Sequence, residues 1–251
     1  MTISEKEFLS TYDVTEFDRP SVAVDILVFT ADIPGQLELL LIHRDIQPFI
    51  NKWALPGGFI RMDESLEEAA RRKLKDETGL ENISMEQLYT FGDVGRDPRT
   101  RVISVAYFAL VPKRLLSVHA GPGADNTLWA GVSLPCGGSA DELEIGNGLE
   151  LAFDHRRIIT TAVERLRGKL SYTDIAFNLL HDKDRFAIYE LQKIYEAILE
   201  QKLDTPNFRR MFLSTYVARG LAEETGEDCL LYSKRASKYY RTIDKSQAAE
   251  A

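Results

Sequence analysis

Between Gly57 and Leu80 the chain reads GGFIRMDESLEEAARRKLKDETGL, and this run constrains the fold more than any other. Residues 65–78 are rich in helix formers, Asp63 is available as a cap, and Gly79 is placed to end the helix. A helix presents positions i, i+3 and i+4 on one face, so residues 73, 76 and 77 share a side. Glu64 stands just ahead of the helix body, and Asp76-Glu77 close it. Carboxylates gathered this way suit a hard cation, and magnesium prefers a few carboxylates plus substrate phosphate oxygens to an all-protein cage. Such a site would polarise a pyrophosphate and orient an attacking water.

The flanking segments read as strands. Ser21–Thr30 and Glu38–Arg44 are β-branched and apolar, with the turn-forming Asp32-Ile33-Pro34-Gly35 between them, so a hairpin is expected. Gln87–Val94 and Val102–Val111 are two more strand-like runs. Strands, one central helix and strands again indicate an α+β first domain. Trp53 and Phe59 serve either as core or as a base-stacking wall, and Gly57-Gly58 lets the backbone approach a ligand or a neighbouring strand closely. Arg96, Arg99 and Arg101 fall within six residues on a proline-containing loop. They suit a clamp on a diphosphate, although a solvated hairpin tip would look the same. Arg44, at the end of the second strand, is a further diphosphate candidate.

Gly58, Glu64, Arg72, Leu74, Glu77, Gly79 and Leu80 match, at the required spacing, the Nudix box Gly-x5-Glu-x7-Arg-Glu-U-x-Glu-Glu-x-Gly-U, where U is bulky and aliphatic. The first domain is thus identified as a member of the Nudix fold, a mixed sheet with a carboxylate helix. Asp76 replaces Glu conservatively, whereas Lys73 occupies the first Glu of the Arg-Glu pair, which in the family belongs to the metal-binding group. At an effective dielectric near 20, two unit charges about 4 Å apart interact by about 4 kcal/mol, and the metal is divalent. That corresponds to roughly a thousandfold in metal occupancy or rate. Lys73 could instead pair with Glu77 or Asp76, replacing the metal by a structural contact. No residue is therefore assigned a catalytic role: Glu64, Arg72, Lys73, Asp76 and Glu77 read as a vestigial site. Magnesium is not required, and any residual metal binding or hydrolysis would fall to Glu64, Asp76 and Glu77. The segment GRDPRTRVISVAYFALV resembles the matching region of ADP-ribose-recognising Nudix proteins. That resemblance makes ADP-ribose the expected ligand of Arg44, Gly57, Gly58, Phe59, Arg96, Arg99 and Arg101.

Residues 117–148 read as loop apart from a short apolar run around Trp129, and the domain boundary is placed at Gly146–Gly148. The net charge of −8 opposes nucleic-acid binding until its distribution is considered. Residues 1–148 hold 14 basic and 23 acidic side chains, whereas 149–251 hold 17 and 16, which permits a local DNA-binding face. Beyond the boundary, residues 154–168, 186–199 and 206–221 carry helical spacing. The last two form a helix-turn-helix candidate, with Asn207, Arg209 and Arg210 near the start of the reading helix. Leu221–Leu231 reads as a hairpin turning at Gly226-Glu227-Asp228, and Lys234, Arg235 and Lys238 on its far side suit phosphate contacts. The order is that of a winged helix, though a helical oligomerisation module would use the same apolar spacing.

The segments LAFDHRRI (151–158), YELQKIYEAIL (189–199) and NFRR (207–210) resemble Nudix-related transcriptional regulators of NAD metabolism, the NrtR-like proteins. With the box, the likeness spans residues 20–241. It implies a Nudix-like sensing domain over residues 1–148 and a winged-helix DNA-binding domain over 149–251. It also implies a dimeric repressor of NAD biosynthesis or salvage genes that leaves double-stranded operator DNA when ADP-ribose binds. Sister regulators that sense sugars share the junction and helices, and an ADP-ribose pyrophosphatase with an accessory helical domain is the alternative activity.

No apolar run approaches the roughly 18 residues a membrane span needs, and the first residues, MTISEKEF, lack the features of a secretory signal. Cys136 and Cys229 read as reduced, incidental thiols, which fits the cytoplasm. His155, beside the expected helix cap Asp154, reads as structural, and His43, His119 and His181 form no metal-ligand pattern.

Overall fold

In a computed structural model, described over residues 3–31, 35–115, 124–229 and 237–243, the carboxylate helix packs on a mixed sheet. A short helix α1 (Glu5–Thr11) precedes the sheet and buries none of its side chains. Strands β1 (Ser21–Ala31) and β2 (Leu37–Arg44) pair antiparallel, as expected. Of the residues expected to turn between them, Asp32, Ile33 and Pro34 lie outside the described residues. Short strands β3 (Trp53–Ala54) and β4 (Gly57–Phe59) attach to β2 and β1, so Gly57 and Gly58 stand in register with Asp25 and Val24.

Helix α2 (Leu66–Thr78) is capped by Ser65, not by Asp63. The Ser65 hydroxyl accepts from the Glu68 amide while the Glu68 carboxylate accepts from the Ser65 amide. Ser65 prevails because an acidic side chain three residues on can reach back to it. Gly79 ends the helix at φ 74°, donating to the Lys75 carbonyl.

Strand β5 (Glu86–Phe91) pairs antiparallel with β6 (Val102–Leu110), which runs parallel to β1. The stretch read as loop instead holds a ten-residue strand, β7 (Ala124–Ser133), paired with β2, followed by β8 (Glu144–Ile145). Its composition conceals it, since Asp125, Asn126 and Gly131 disfavour or dilute strand patterning. Its place in the sheet comes from the partner strand, not from propensity. The sheet order is β5-β6-β1-β2-β7-β8.

Strand β1 is buried on both faces, and its alternation divides two cores. Val24, Ile26 and Val28 pack with Ala69, Ala70 and Leu74 of α2. Leu27, Phe29 and Ala31 belong to a larger cluster that runs without a break into the C-terminal part. Helix α3 (His155–Lys169) enters that cluster through Ile158, Ile159, Ala162, Val163 and Leu166.

After α3 come a 3-10 turn (Ile175–Leu179), strand β9 (Phe186–Ala187), helix α4 (Ile188–Leu199) and helix α5 (Thr205–Phe212). The third helix stops short of the expected Leu221, widening into a π-helical turn at Leu213–Val217. Strands β10 (Ala222–Cys229) and β11 (Ser237–Thr242) then form a sheet in the order β10-β11-β9. The hairpin does not turn at Gly226-Glu227-Asp228. Those residues lie inside β10, where the register shifts between Glu224 and Asp228 and Gly226 takes φ 86°. An irregularity with a left-handed glycine absorbs the two extra residues of β10 without ending the strand. No helix of the described residues is long and apolar enough to cross a membrane, and Cys136 and Cys229 are not joined by a disulfide.

Candidate ligand pocket and nucleic-acid interface

A cavity of about 230 Å³ opens over the Gly57-Gly58 strand, and six of the seven expected ligand residues line it: Arg44, Gly57, Gly58, Phe59, Arg96 and Arg99. Arg101 does not. It is exposed, and its guanidinium donates to the Asp93 carbonyl because the residue lies where the loop leaves the pocket for β6. Lys73 and Glu77 from α2, Asp25 from β1, and Phe153 and His155 at the start of α3 complete the wall. Phe59 is 40% exposed and faces the pocket, with the Arg99 guanidinium 5.1 Å from its ring centre. Trp53 packs against the larger core.

The cations have different freedoms. Arg96 is not an open clamp: it is buried, donating twice to Asp154 (2.9 and 2.6 Å) and once to Asp25 (3.2 Å). Asp154 is spent on this pair and makes no cap bond, contrary to its expected capping role. The Arg96 pKa rises: burial works against its charge, but Asp154 and Asp25 outweigh that. Asp25 also accepts from Ser104 at 2.5 Å and faces the His155 Nε2 at 3.5 Å. Burial opposes its charge, yet His155, Ser104 and Arg96 hold its pKa below the ordinary carboxylate value. His155 is buried and accepts from the Leu55 amide through Nδ1 at 2.9 Å, a structural role as expected, although it also lines the pocket.

Arg99 forms a fork with Asp97, and Arg44 donates to the Pro48 carbonyl. Burial lowers the Arg44 pKa, and the neighbouring Arg99 charge lowers it further. Two guanidiniums that repel each other in a partly buried cleft are an electrostatic cost that a bound anion would remove. Both also lie over the Phe153 ring, at 5.0 and 5.8 Å. Phe153 itself has φ 50°, a left-handed conformation that a bulky side chain rarely adopts. Backbone strain of this sort persists where surrounding structure enforces it, often at ligand clamps.

The box residues are paired with one another. Glu64 takes a fork from Arg72 (2.7 and 2.5 Å) and accepts from the Arg61 amide, and its pKa falls to about 2, chiefly through the Arg72 hydrogen bonds. Asp76 lies 3.7 Å from Arg72. Glu77 accepts from the Gly57 amide at 2.9 Å and faces the Lys73 ammonium at 3.5 Å. Burial pushes its pKa up to about 6 against those contacts. Among the described residues no three His, Cys, Asp or Glu side chains converge as a metal site. The set does not fit magnesium: Glu64 is committed to Arg72, and the position between Gly58 and Glu77 is taken by a cation of the chain itself.

Helix α5 presents the other expected surface. Asp204 caps it through the Asn207 amide, Phe208 and Phe212 turn inward, and Asn207, Arg209 and Arg210 are exposed. Lys238 does not stand free on the wing. It lies opposite Asp228 in the ladder and pairs with it at 2.9 Å, so phosphate contact would have to displace a carboxylate. Lys234 and Arg235, like His119, lie outside the described residues.

Sequence reasoning missed Asp25, Asp97 and the pocket role of Phe153. A lone acid within the apolar run SVAVDILVF was a usable signal for Asp25. Nothing local marked Phe153, whose position follows from α3 docking on the sheet.

Fold and site define a class: a Nudix domain carrying a winged helix. The NUDIX domain family matches residues 19–138, and the NrtR DNA-binding winged helix domain matches residues 176–242. The chain is 34% identical over 240 residues to the ADPR responsive transcriptional repressor NtrR of Acinetobacter baylyi, covering 95% of this chain and 88% of that one. A MutT/nudix family protein from Enterococcus faecalis superposes with a TM-score of 0.77 at 30% identity, over 96% of this chain and 94% of that one. NrtR of Shewanella oneidensis superposes with a TM-score of 0.67 at 31% identity, over 89% and 94% of the two chains. It has also been solved with a 27mer DNA, and its NUDIX domain with ADP ribose. The chain belongs to the NrtR family.

Proposed function

We propose that this chain is a transcriptional repressor that binds operator DNA through α5 and is released when ADP-ribose enters the Nudix pocket. Its sensing part spans residues 1–148 and its DNA-binding part 149–251. It works as a homodimer in the cytoplasm, at the nucleoid, on genes of NAD biosynthesis or salvage. The relatives whose names and structures include ADP-ribose and DNA support this reading.

One observation carries it: the entry to α3, from Phe153 to His155, forms a wall of the pocket. Phe153 and His155 line the cavity, and Asp154 is tied through Arg96 to Asp25. A ligand acts only through its different affinity for two arrangements. A diphosphate bound at Arg44, beside Arg99, would redistribute charge around Phe153 and Arg96 and re-seat the start of α3. Because α3 shares its core with α4 and α5, that movement would alter how two copies of α5 are spaced on DNA. The paired state of the box carboxylates supports sensing over hydrolysis.

The test is fluorescence anisotropy of the full chain on DNA from upstream of NAD-biosynthesis genes, at fixed salt, with and without ADP-ribose. Salt is fixed because phosphate-contact affinity falls steeply with it. Tight binding relieved by ADP-ribose is the expected result. Equal DNA affinity at saturating ADP-ribose would refute the release mechanism, and turnover of ADP-ribose at on the order of 10 per second with magnesium would make the chain a hydrolase.

A further inference from the structure

We propose that the Lys73 ammonium itself binds the ligand's diphosphate in place of a divalent cation, so that this pocket takes a nucleoside diphosphate without metal. The inference rests on the reading of the cavity as the ligand site, and goes beyond it in naming what replaces the metal and what the replacement does.

The position of Lys73 is the first argument. A side chain at Gly58 would meet the Lys73 Nζ at 2.8 Å and its Cε at 2.7 Å. The missing Cβ at Gly58 thus leaves room for the ammonium where it stands, over the Gly57-Gly58 strand. Its side chain keeps 24% exposure and lines the cavity. Glu77 holds it from below at 3.5 Å and is itself fixed by the Gly57 amide. An ammonium has three donors, and a single carboxylate at that range uses at most one of them.

Charge is the second argument. The pocket wall carries Arg44, Lys73, Arg96 and Arg99 against Asp25, Glu77 and Asp97. Arg96 is consumed by Asp25 and Asp154, and Arg99 shares its charge with Asp97. That leaves Arg44, whose hydrogen bonds go to backbone carbonyls, and Lys73, whose carboxylate partner stands at 3.5 Å, as the cations with donors to spare. A diphosphate carries about two negative charges at neutral pH, the quantity these two groups match. Arg44 has the planar fork suited to one phosphate, and Lys73 the point charge suited to the other.

The carboxylates supply the third argument. A metal would need ligands that the chain has already engaged, Glu64 with Arg72 and Glu77 with Lys73. Adding magnesium beside the ammonium would cost more than either cation alone, so the two are mutually exclusive occupants of one place.

The test is isothermal titration of the full chain with ADP-ribose in EDTA and in magnesium, for the wild type and for Lys73→Gln, with adenosine as a ligand lacking phosphates. The wild type is expected to bind ADP-ribose equally in both buffers. Lys73→Gln, checked for folding by its thermal melt, is expected to bind ADP-ribose about tenfold or more weakly in both, with adenosine affinity unchanged. Wild-type binding that requires magnesium overturns the proposal whatever the variant does. So does a Lys73→Gln protein that binds ADP-ribose like the wild type, or one that loses adenosine and ADP-ribose equally, since Lys73 would then act through pocket structure. A wild type that binds ADP-ribose in neither buffer overturns the reading of the pocket, and this inference with it.

Discussion

Glu77 is the box carboxylate whose charge costs the fold most, and replacing it should stabilise the protein in a pH-dependent way. Its side chain is 8% exposed, and burial raises its pKa from 4.5 to about 6 despite the Gly57 amide and Lys73. The folded state therefore holds this proton more tightly than the unfolded chain does. Below about pH 4.5 both states are protonated and the group contributes nothing. As pH rises the unfolded chain ionises first, and stability falls until the folded state ionises too. Above that window the accumulated cost is roughly 2 kcal/mol. Glu77→Gln keeps the acceptor for the Gly57 amide but cannot ionise. It should gain up to about 2 kcal/mol near pH 7.5 and less than half of that near pH 5. Urea denaturation of both proteins at the two pH values, compared by midpoint at constant slope, reads the difference. A gain of equal size at both pH values, or a loss at neutral pH exceeding that at acid pH, would refute this account of the site. The loss would mean that Lys73 stabilises Glu77 more than burial penalises it, and the equal gain that its ionisation is not the source of the cost.

Three other perturbations test separate parts of the structure. Arg96→Met strands Asp25 and Asp154 without their shared cation and should cost about 3–5 kcal/mol. The loss in chemical denaturation should be larger at neutral than at acid pH, because protonation relieves the stranded carboxylates. Arg209→Ala with Arg210→Ala should weaken specific DNA binding by roughly a hundredfold or more at fixed salt. ADP-ribose affinity should stay intact; unchanged DNA binding would mean that α5 does not read DNA through these side chains, and loss of both activities would point to misfolding instead. Ser65→Ala removes one half of the α2 capping box and should lower stability by about 1 kcal/mol in the same denaturation assay.

The elements legible in the sequence are those whose stability is local. Helix α2 announced itself through helix formers and Gly79, and strands β1 and β6 through β-branched runs. What was hidden depends on distant partners. Strand β7 is made a strand by β2, β9 by β11, and the wing's turn moved because an irregularity at Gly226 let β10 continue. The same division holds at the site. Six of the seven expected ligand residues converge because they sit on or beside β1, β2, β4 and the loop before β6; of these pairings the sequence pattern anticipates β1 with β2. The ion pairs of Arg96 were hidden for the opposite reason. Its partners Asp25 and Asp154 are 71 and 58 residues away, and only the docking of α3 brings them together.

That docking also limits how the two parts can communicate. A flexible tether between pocket and winged helix would let ligand binding proceed without any effect on DNA. Here the larger apolar cluster contains β1, β2 and β6 side chains together with those of α3, α4 and α5, so the parts cannot separate without opening a core. Small changes at the pocket must then appear as a rigid shift or not at all, because packed cores are bistable rather than continuously deformable. Moving such an equilibrium from mostly bound to mostly released takes about 5.5 kcal/mol of differential ligand affinity. A buried guanidinium bridging two carboxylates is among the few local features whose rearrangement carries energy on that scale, and Arg96 ties the pocket strand to the first turn of α3. On the proposed reading, ligand bound beside Phe153 re-seats the start of α3 and with it that bridge.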